Sequence, residues 1–240
     1  MSARRLVLVP VTLLVLALAG VAAAAAPTDP QRNINTTDQA WADSIVLARE
    51  DLGKGWMVDP TSEGNSSDES SEAWCPAGTP DQSDLTMTGS GASLDYTRTD
   101  SSYASSLAAI WRTPDEAQAE WDRTNTAMPA FLKCLGELFK EAPPGLKVSI
   151  TSKGALPFAA VAPRTSAYRM KLVIKSTRGP KKKRKKLIAT YDMVLFGNGR
   201  ASATLFFVWF SGRPLSAAYE QSLAQKMAAR MASDPAAAAG

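Results

Sequence analysis

The densest group of charged side chains in the chain is a run of seven cations within residues 178–186. The run contains no acidic residue and comprises Arg178, Lys181, Lys182, Lys183, Arg184, Lys185 and Lys186. Clustered ammonium and guanidinium groups bind anions such as phospholipid head groups, wall polymers or acidic proteins. Predicted strands near Leu172 and Ile188 flank the run, so we interpret it as the tip of a hairpin.

A second chemically informative pair is Cys75 and Cys134, the two cysteines of the chain. In an oxidising compartment an isolated pair of cysteines most often forms a disulfide. Two free thiols or a catalytic cysteine are the alternatives, and a catalytic cysteine would lack a histidine base. We expect the disulfide, which would close a loop of about 60 residues and stabilise the fold by roughly 4 kcal/mol in the chain-entropy model.

The chain has no histidine. The lack of histidine excludes Ser-His-Asp and Cys-His catalysis and histidine-ligated zinc. The sequence also contains neither a phosphate-binding loop nor a dinucleotide-binding glycine motif. We therefore predict no catalytic residue, no metal site and no cofactor. Carboxylate-only chemistry stays open and would need two acidic side chains about 5–10 Å apart in one cleft. Asp192, an acidic residue in a mostly apolar strand, is expected to face solvent or to pair with a lysine.

The N-terminus has the pattern of a secretory signal peptide. Arg4 and Arg5 precede an apolar core, residues 6–19, and a run of small residues follows with a cleavage point near Ala25-Ala26. The core is shorter than the roughly 20 residues of a membrane helix, although a retained anchor is the alternative. The alanine-rich composition indicates a bacterial source. We expect a signal peptide at 1–25, a flexible segment at 26–37, one domain at 38–231 and a disordered tail at 232–240.

Export changes the interpretation of the basic run. The formal net charge of +4 falls to +2 without Arg4 and Arg5, and to −5 when the run is also removed. Nuclear import and nucleic-acid contact are then disfavoured, and no aromatic residue lies within the run to stack on bases. Two interpretations stay open: attachment to an anionic surface, or a solvated hairpin tip that blocks pairing at the sheet edge.

Local patterns predict four helical segments. Residues 36–39 have the spacing of a capping box and predict a helix that ends at Gly53. Residues 113–116 combine an N-cap, a proline at the first helical position and a closing glutamate. Pro129 is expected to start a second helical segment, and residues 215–231 carry apolar side chains at the spacing of a closing amphipathic helix.

The remaining segments predict strands around one long loop. Residues 59–84 are rich in proline, glycine, serine and acidic residues, and Cys75 is expected to tie this loop to the domain. Residues 197–200 predict a hairpin turn, and the apolar stretch 205–210 predicts a central strand covered on both sides. The predicted strands are 85–96, 102–111, 147–152, 168–174, 187–196 and 201–210. This order of elements predicts an α+β fold with an antiparallel sheet of about six to seven strands and helices packed on it.

Several segments together resemble exported sensor-like domains related to the extracellular region of the mycobacterial receptor kinase PknH. These segments are residues 47–56, Cys75 after a polar loop, residues 110–117 and residues 131–135. The resemblance covers residues 41–231 and implies a mixed sheet with packed helices, an open cleft, disulfides and ligand sensing without catalysis. A PsbP/Mog1-like sandwich is a related architecture. The kinase sensor has two disulfides, whereas this chain has cysteines for one.

These observations lead to a hypothesis of an exported, monomeric, non-catalytic binding domain. It would capture an envelope ligand or an exported protein in a cleft between the sheet and residues 59–84, and the basic run would contact an anionic lipid or wall polymer. The alternatives are a carboxylate-dependent envelope hydrolase and an interaction protein that docks on a membrane or on the wall. No nucleic acid is expected as a partner.

Overall fold

Alternating apolar and polar residues build most of the strands of one large sheet. The computed structural model describes residues 29–59, 75, 78–138, 144–177, 186–210 and 215–235. Within these residues the strands are β1 (Gln31–Arg32), β2 (Trp56–Val58), β3 (Thr86–Ala92), β4 (Tyr96–Arg98), β5 (Tyr103–Trp111), β6 (Leu146–Ala155), β7 (Arg164–Ser176), β8 (Lys186–Asn198) and β9 (Ala201–Phe210). The helices are α1 (Thr36–Ile45), α2 (Arg49–Leu52), α3 (Pro114–Leu138) and α4 (Ala217–Met231).

The sheet confirms the predicted α+β class and has an antiparallel main body. Its strands lie in the order β1-β3-β5-β9-β8-β7-β6, and β2 joins through β4, which pairs with the end of β5. The pair β1 and β3 is parallel, and the other described pairs are antiparallel. The nine strands exceed the predicted six to seven because β1, β2 and β4 contain only two or three residues each.

Helices cover both faces of the sheet around its central strand β9. On one face Phe207 and Trp209 of β9 pack in the main core with Trp41 of α1 and Leu223 of α4. On the other face, Leu132 of α3 lies in an apolar cluster that reaches β8. Strand β9 lies between β5 and β8, which confirms the central position predicted from its apolar sequence.

The predicted break at Pro129 is wrong, because α3 runs without interruption from Pro114 to Leu138 with this proline inside it. A proline removes one backbone hydrogen bond from a helix. Trp121 before it and Leu132 after it pack in the same cluster against Leu195 of β8. Tertiary packing on both sides of the proline therefore keeps the two halves in one helix.

Two further boundaries differ from the prediction. The first helix ends at Ile45, and the separate turn α2 starts at Arg49, so residues 36–52 are not one helix. The N-cap is Asn35, whose side chain accepts a hydrogen bond from the backbone N–H of Asp38. The predicted strand 85–96 ends at Ala92, and β4 starts at Tyr96 to pair with β2 and β5.

The disulfide expected from the sequence joins Cys75 to Cys134 on α3, with the two Cα atoms 5.7 Å apart. Cys75 is fully buried. The bond therefore fixes the chain before β3 to the helix that covers the far face of the sheet. Residues 60–74, which make up most of the predicted loop, lie outside the described residues. So do residues 1–28, which include the predicted signal peptide at 1–25, and the final residues 236–240. None of the described helices combines the length and the apolar character needed to cross a membrane.

The disulfide should contribute about 4 kcal/mol to the free energy of unfolding, because it closes a loop with a sequence separation of 59 residues. Replacing both cysteines, C75S with C134S, should lower that free energy by this amount in urea denaturation. Wild-type protein under reducing conditions is the control and should show the same loss. An unchanged urea midpoint would contradict a structural role for the bond.

Glycines in β3 allow α1 to pack directly on the strand. A Cβ atom on Gly91 would lie 2.6 Å from the backbone carbonyl oxygen of Ala42, which cannot move without the helix. The variant G91A should therefore lose about 1–3 kcal/mol of unfolding free energy through overpacking, measured by chemical denaturation. The control S90A changes the neighbouring residue, and its effect should stay within about 0.5 kcal/mol. Equal stability of the two variants would exclude this close approach.

Candidate functional site

In the sequence, the basic run connects two strands that are neighbours in the sheet. Strand β7 ends at Ser176, β8 begins at Lys186, and these strands pair with Lys175 opposite Lys186. Lys186 is exposed. The other six cations, Arg178, Lys181, Lys182, Lys183, Arg184 and Lys185, lie outside the described residues.

The sheet itself continues this positive charge. Lys175 of β7 lies opposite Lys186 of β8 on one side and opposite Lys147 of β6 on the other. Directly opposite residues of antiparallel strands point to the same face with their Cβ atoms about 5 Å apart, so the three lysines form one cross-strand row. All three are exposed, and none forms an ion pair with an acidic side chain of the described residues. Like charges in this arrangement repel each other.

The same face carries another lysine and an exposed apolar side chain. Lys171 lies four residues before Lys175 on β7 and is exposed. Ile188 of β8 lies opposite Val173, between the lysine row and Lys171, and its exposed fraction is 41%. We call Lys147, Lys171, Lys175, Lys186 and Ile188 the basic sheet face.

The row next to Lys171 on this face contains a buried ion pair in place of exposed cations. Arg169 of β7 lies opposite Asp192 of β8, and the arginine Nε donates a 2.6 Å hydrogen bond to Asp192 Oδ1. A second guanidinium nitrogen pairs with Asp192 Oδ2. The guanidinium also lies 5.2 Å from the ring centroid of Trp209. The expectation that Asp192 faces solvent or pairs with a lysine is wrong, because α4 covers it, its exposed fraction is 1% and its partner is an arginine.

Glu220, in the first turn of α4, brings a second buried carboxyl group to this ion pair. Its exposed fraction is 1%, and its Oε1 atom has no hydrogen-bond partner. Burial, together with the nearby Asp192 carboxylate, raises the pKa of Glu220 to about 8, although Arg169 opposes this shift. At neutral pH, Glu220 therefore holds a proton beside the contact between Asp192 and Arg169.

The carboxyl pair meets one requirement of the hydrolase hypothesis, since two acidic side chains converge. Both are nevertheless buried, whereas a recess among the described residues lies along β6, away from them, and is lined by Glu137 and residues 146–153. The pair can hold and exchange a proton, but this geometry offers no route for a sugar ring to reach it. Among the described residues, no group of three or more acidic or cysteine side chains could hold a metal ion.

The sequence interpretation missed Glu220, Arg169 and the lysine row. A local signal existed for Glu220, which precedes Leu223 by three residues and Met227 by seven and so shares their buried helix face. A local signal existed for Asp192 as well, because it lies two residues before the buried Val194 on β8 and so shares its face of the strand. No local signal predicts that Lys147 lies opposite Lys175, because that pairing depends on the register of β6 on β7.

Replacing Glu220 by glutamine, E220Q, should remove a pH dependence of stability. The pKa of this carboxyl is 4.5 in an unfolded chain and about 8 in the folded protein. Between pH 4.5 and about pH 8, the folded state therefore binds one more proton than the unfolded state. As a result, the free energy of unfolding of wild type falls as pH rises through this range, by up to about 1.4 kcal/mol per pH unit. Glutamine cannot ionise, so the stability of E220Q relative to wild type should increase from about pH 5 to about pH 8 in urea denaturation.

The matched control is E50Q, which removes an exposed glutamate from the first turn of α2. Its stability relative to wild type should be the same at both pH values. Parallel pH profiles of wild type and E220Q would show that Glu220 does not retain its proton in the folded state.

Comparisons with known proteins place few constraints on this site. No family model matches the chain, and a search of curated proteins finds no match. Among solved structures, the chain is similar to the extracellular domain of PknH from Mycobacterium tuberculosis, with 8% sequence identity and a TM-score of 0.41. The similarity covers 81% of this chain and 96% of that domain. It is a distant structural similarity that transfers no binding residue or ligand to this chain.

Proposed function

We propose that this protein is a non-catalytic binding domain that acts outside the cytoplasm and contacts an anionic partner of the cell envelope. The contact surface is its basic end, made up of the run Arg178, Lys181, Lys182, Lys183, Arg184, Lys185 and Lys186 together with the adjoining lysines of the sheet. The observation that carries the proposal is the cross-strand row of Lys147, Lys175 and Lys186.

Charge repulsion is the physical argument. Three lysines side by side on neighbouring strands repel each other, and the run adds six more positive charges to the connection between β7 and β8. An anionic partner removes this repulsion and gains about 1 kcal/mol for each lysine or arginine near an anionic membrane surface. The rest of the chain without its predicted signal peptide has a net charge of −5, so this basic end would also orient the protein towards such a partner.

The disulfide supports a location outside the cytoplasm. Cysteine pairs are kept reduced in the cytoplasm and form stable disulfides in oxidising compartments. The bond between Cys75 and Cys134 therefore fits the signal-peptide pattern at the N-terminus.

Neutralising the run should weaken envelope binding. The variant with glutamine at Lys181, Lys182, Lys183, Arg184, Lys185 and Lys186 loses six charges. Six losses of about 1 kcal/mol each predict a reduction in affinity on the order of ten-thousandfold for isolated bacterial cell envelopes at low salt. Co-sedimentation of the purified mature protein measures this change.

The matched control keeps the charge and changes only the side chains, with arginine at the five lysine positions among these six. Its affinity should stay within a few-fold of wild type, and wild-type binding should fall steeply as salt is added. Retention of the glutamine variant on envelopes at low salt would contradict the proposed function.

A further inference from the structure

The arrangement of charge and apolar surface on the sheet identifies the kind of partner more closely. We propose that the basic sheet face docks flat on an anionic phospholipid bilayer, with Ile188 entering the layer between head groups and acyl chains. This inference rests on the proposed function, because it names the partner of the same basic end.

The dimensions of the face follow from strand geometry. Neighbouring strands are about 4.8 Å apart, so the row from Lys147 to Lys186 spans roughly 10 Å across three strands. Lys171 lies four residues from Lys175, which is roughly 13 Å along β7. The four lysines therefore frame a flat area rather than a line of charge.

Ile188 lies beside this frame, on its β8 side. It is two residues from Lys186 along β8, lies opposite Val173 of β7, and is 41% exposed. Val173 and Thr190 beside it are buried, so Ile188 is the exposed apolar side chain next to the lysines on the described strands of this face. An exposed branched apolar side chain beside a group of cations suits a surface that is charged outside and apolar beneath, which is the chemistry of an anionic bilayer.

No acidic side chain of the described strands interrupts this face. Two rows bound this part of the face: the lysine row at one end and the row of Arg169 and Asp192 at the other. The residues on the face between them are Ser149, Ser152, Lys171, Val173, Ile188 and Thr190. The first acidic residue is Asp192, which is buried and paired with Arg169. On the described strands of this face, head-group phosphates would therefore meet only cations and neutral groups. A soluble polyanion could use the lysines as well, but it would gain nothing from Ile188.

The test uses the full mature protein and two probes: vesicles of phosphatidylglycerol mixed with phosphatidylcholine, and inorganic polyphosphate. Wild type should bind the anionic vesicles and should not bind vesicles of phosphatidylcholine alone. The variant K147Q/K171Q/K175Q, with the run intact, should bind the anionic vesicles on the order of a hundredfold more weakly, about fivefold for each charge. The control K153Q removes a charge from the opposite face of β6, and its vesicle affinity should stay within about twofold of wild type.

The variant I188S separates a bilayer from a soluble polyanion. It should bind anionic vesicles about tenfold more weakly than wild type, because an apolar side chain no longer leaves water. Its affinity for polyphosphate should be unchanged. The control L107S removes another exposed apolar residue on the opposite face of the sheet and should affect neither probe.

A fluorescent label gives a readout that does not depend on affinity. An environment-sensitive dye on I188C should become brighter and shift to the blue with anionic vesicles, whereas the same dye on L107C should not. Equal affinity of wild type and I188S for vesicles, or no spectral change at position 188, would overturn the bilayer inference. Binding of wild type to polyphosphate but not to vesicles would overturn it while leaving the proposed function intact. Failure to bind either probe or isolated envelopes would overturn both.

Discussion

The structure depends on covering strand β9 from both sides. Its residues are apolar at nearly every position from Leu205 to Phe210, so neither face of the strand can stay in water without promoting aggregation. Strands β5 and β8 satisfy its backbone hydrogen bonds along both edges. Helices α1 and α4 cover Phe207 and Trp209 on one face, while Leu135 of α3 belongs to the cluster that contacts Phe210 on the other. The positions of the three long helices follow from this single requirement.

A buried ion cluster fixes the two helices of the first face to the hairpin that begins β9. Arg200, in the turn between β8 and β9, donates hydrogen bonds of 3.0 Å to the carboxylates of Asp38 in α1 and Asp234 after α4. The arginine holds the pKa of Asp38 well below its usual range, at about 2. Its guanidinium also lies 5.5 Å from the ring centroid of Trp41. Removing one partner would leave a buried charge uncompensated, so this cluster ties together elements from both ends of the described chain.

The same sheet face therefore has two parts with opposite physical character. Where α4 lies on it, Arg169, Asp192 and Glu220 form a buried group in which Glu220 keeps its proton at neutral pH. Further along the same face, Val173 and Thr190 are still buried, whereas Ile188 and the lysines of the basic sheet face are exposed. Lysines at an uncovered sheet end also discourage pairing with other chains. Protection of the sheet and attraction of an anionic surface are thus compatible uses of the same residues.

Local patterns in the sequence determined much of the fold. The apolar stretch 205–210 predicted the central strand, residues 197–200 predicted its hairpin, and the two cysteines predicted their bond, because burial, turn geometry and cysteine pairing are set by residue type and short spacing. The tertiary structure alone decided that Pro129 lies inside a helix, since packing before and after it outweighs one lost hydrogen bond. It also decided that Asp192 meets Glu220 and that Lys147 lies beside Lys175. Those neighbours depend on strand register and on the placement of α4, which long-range packing sets and no local pattern encodes.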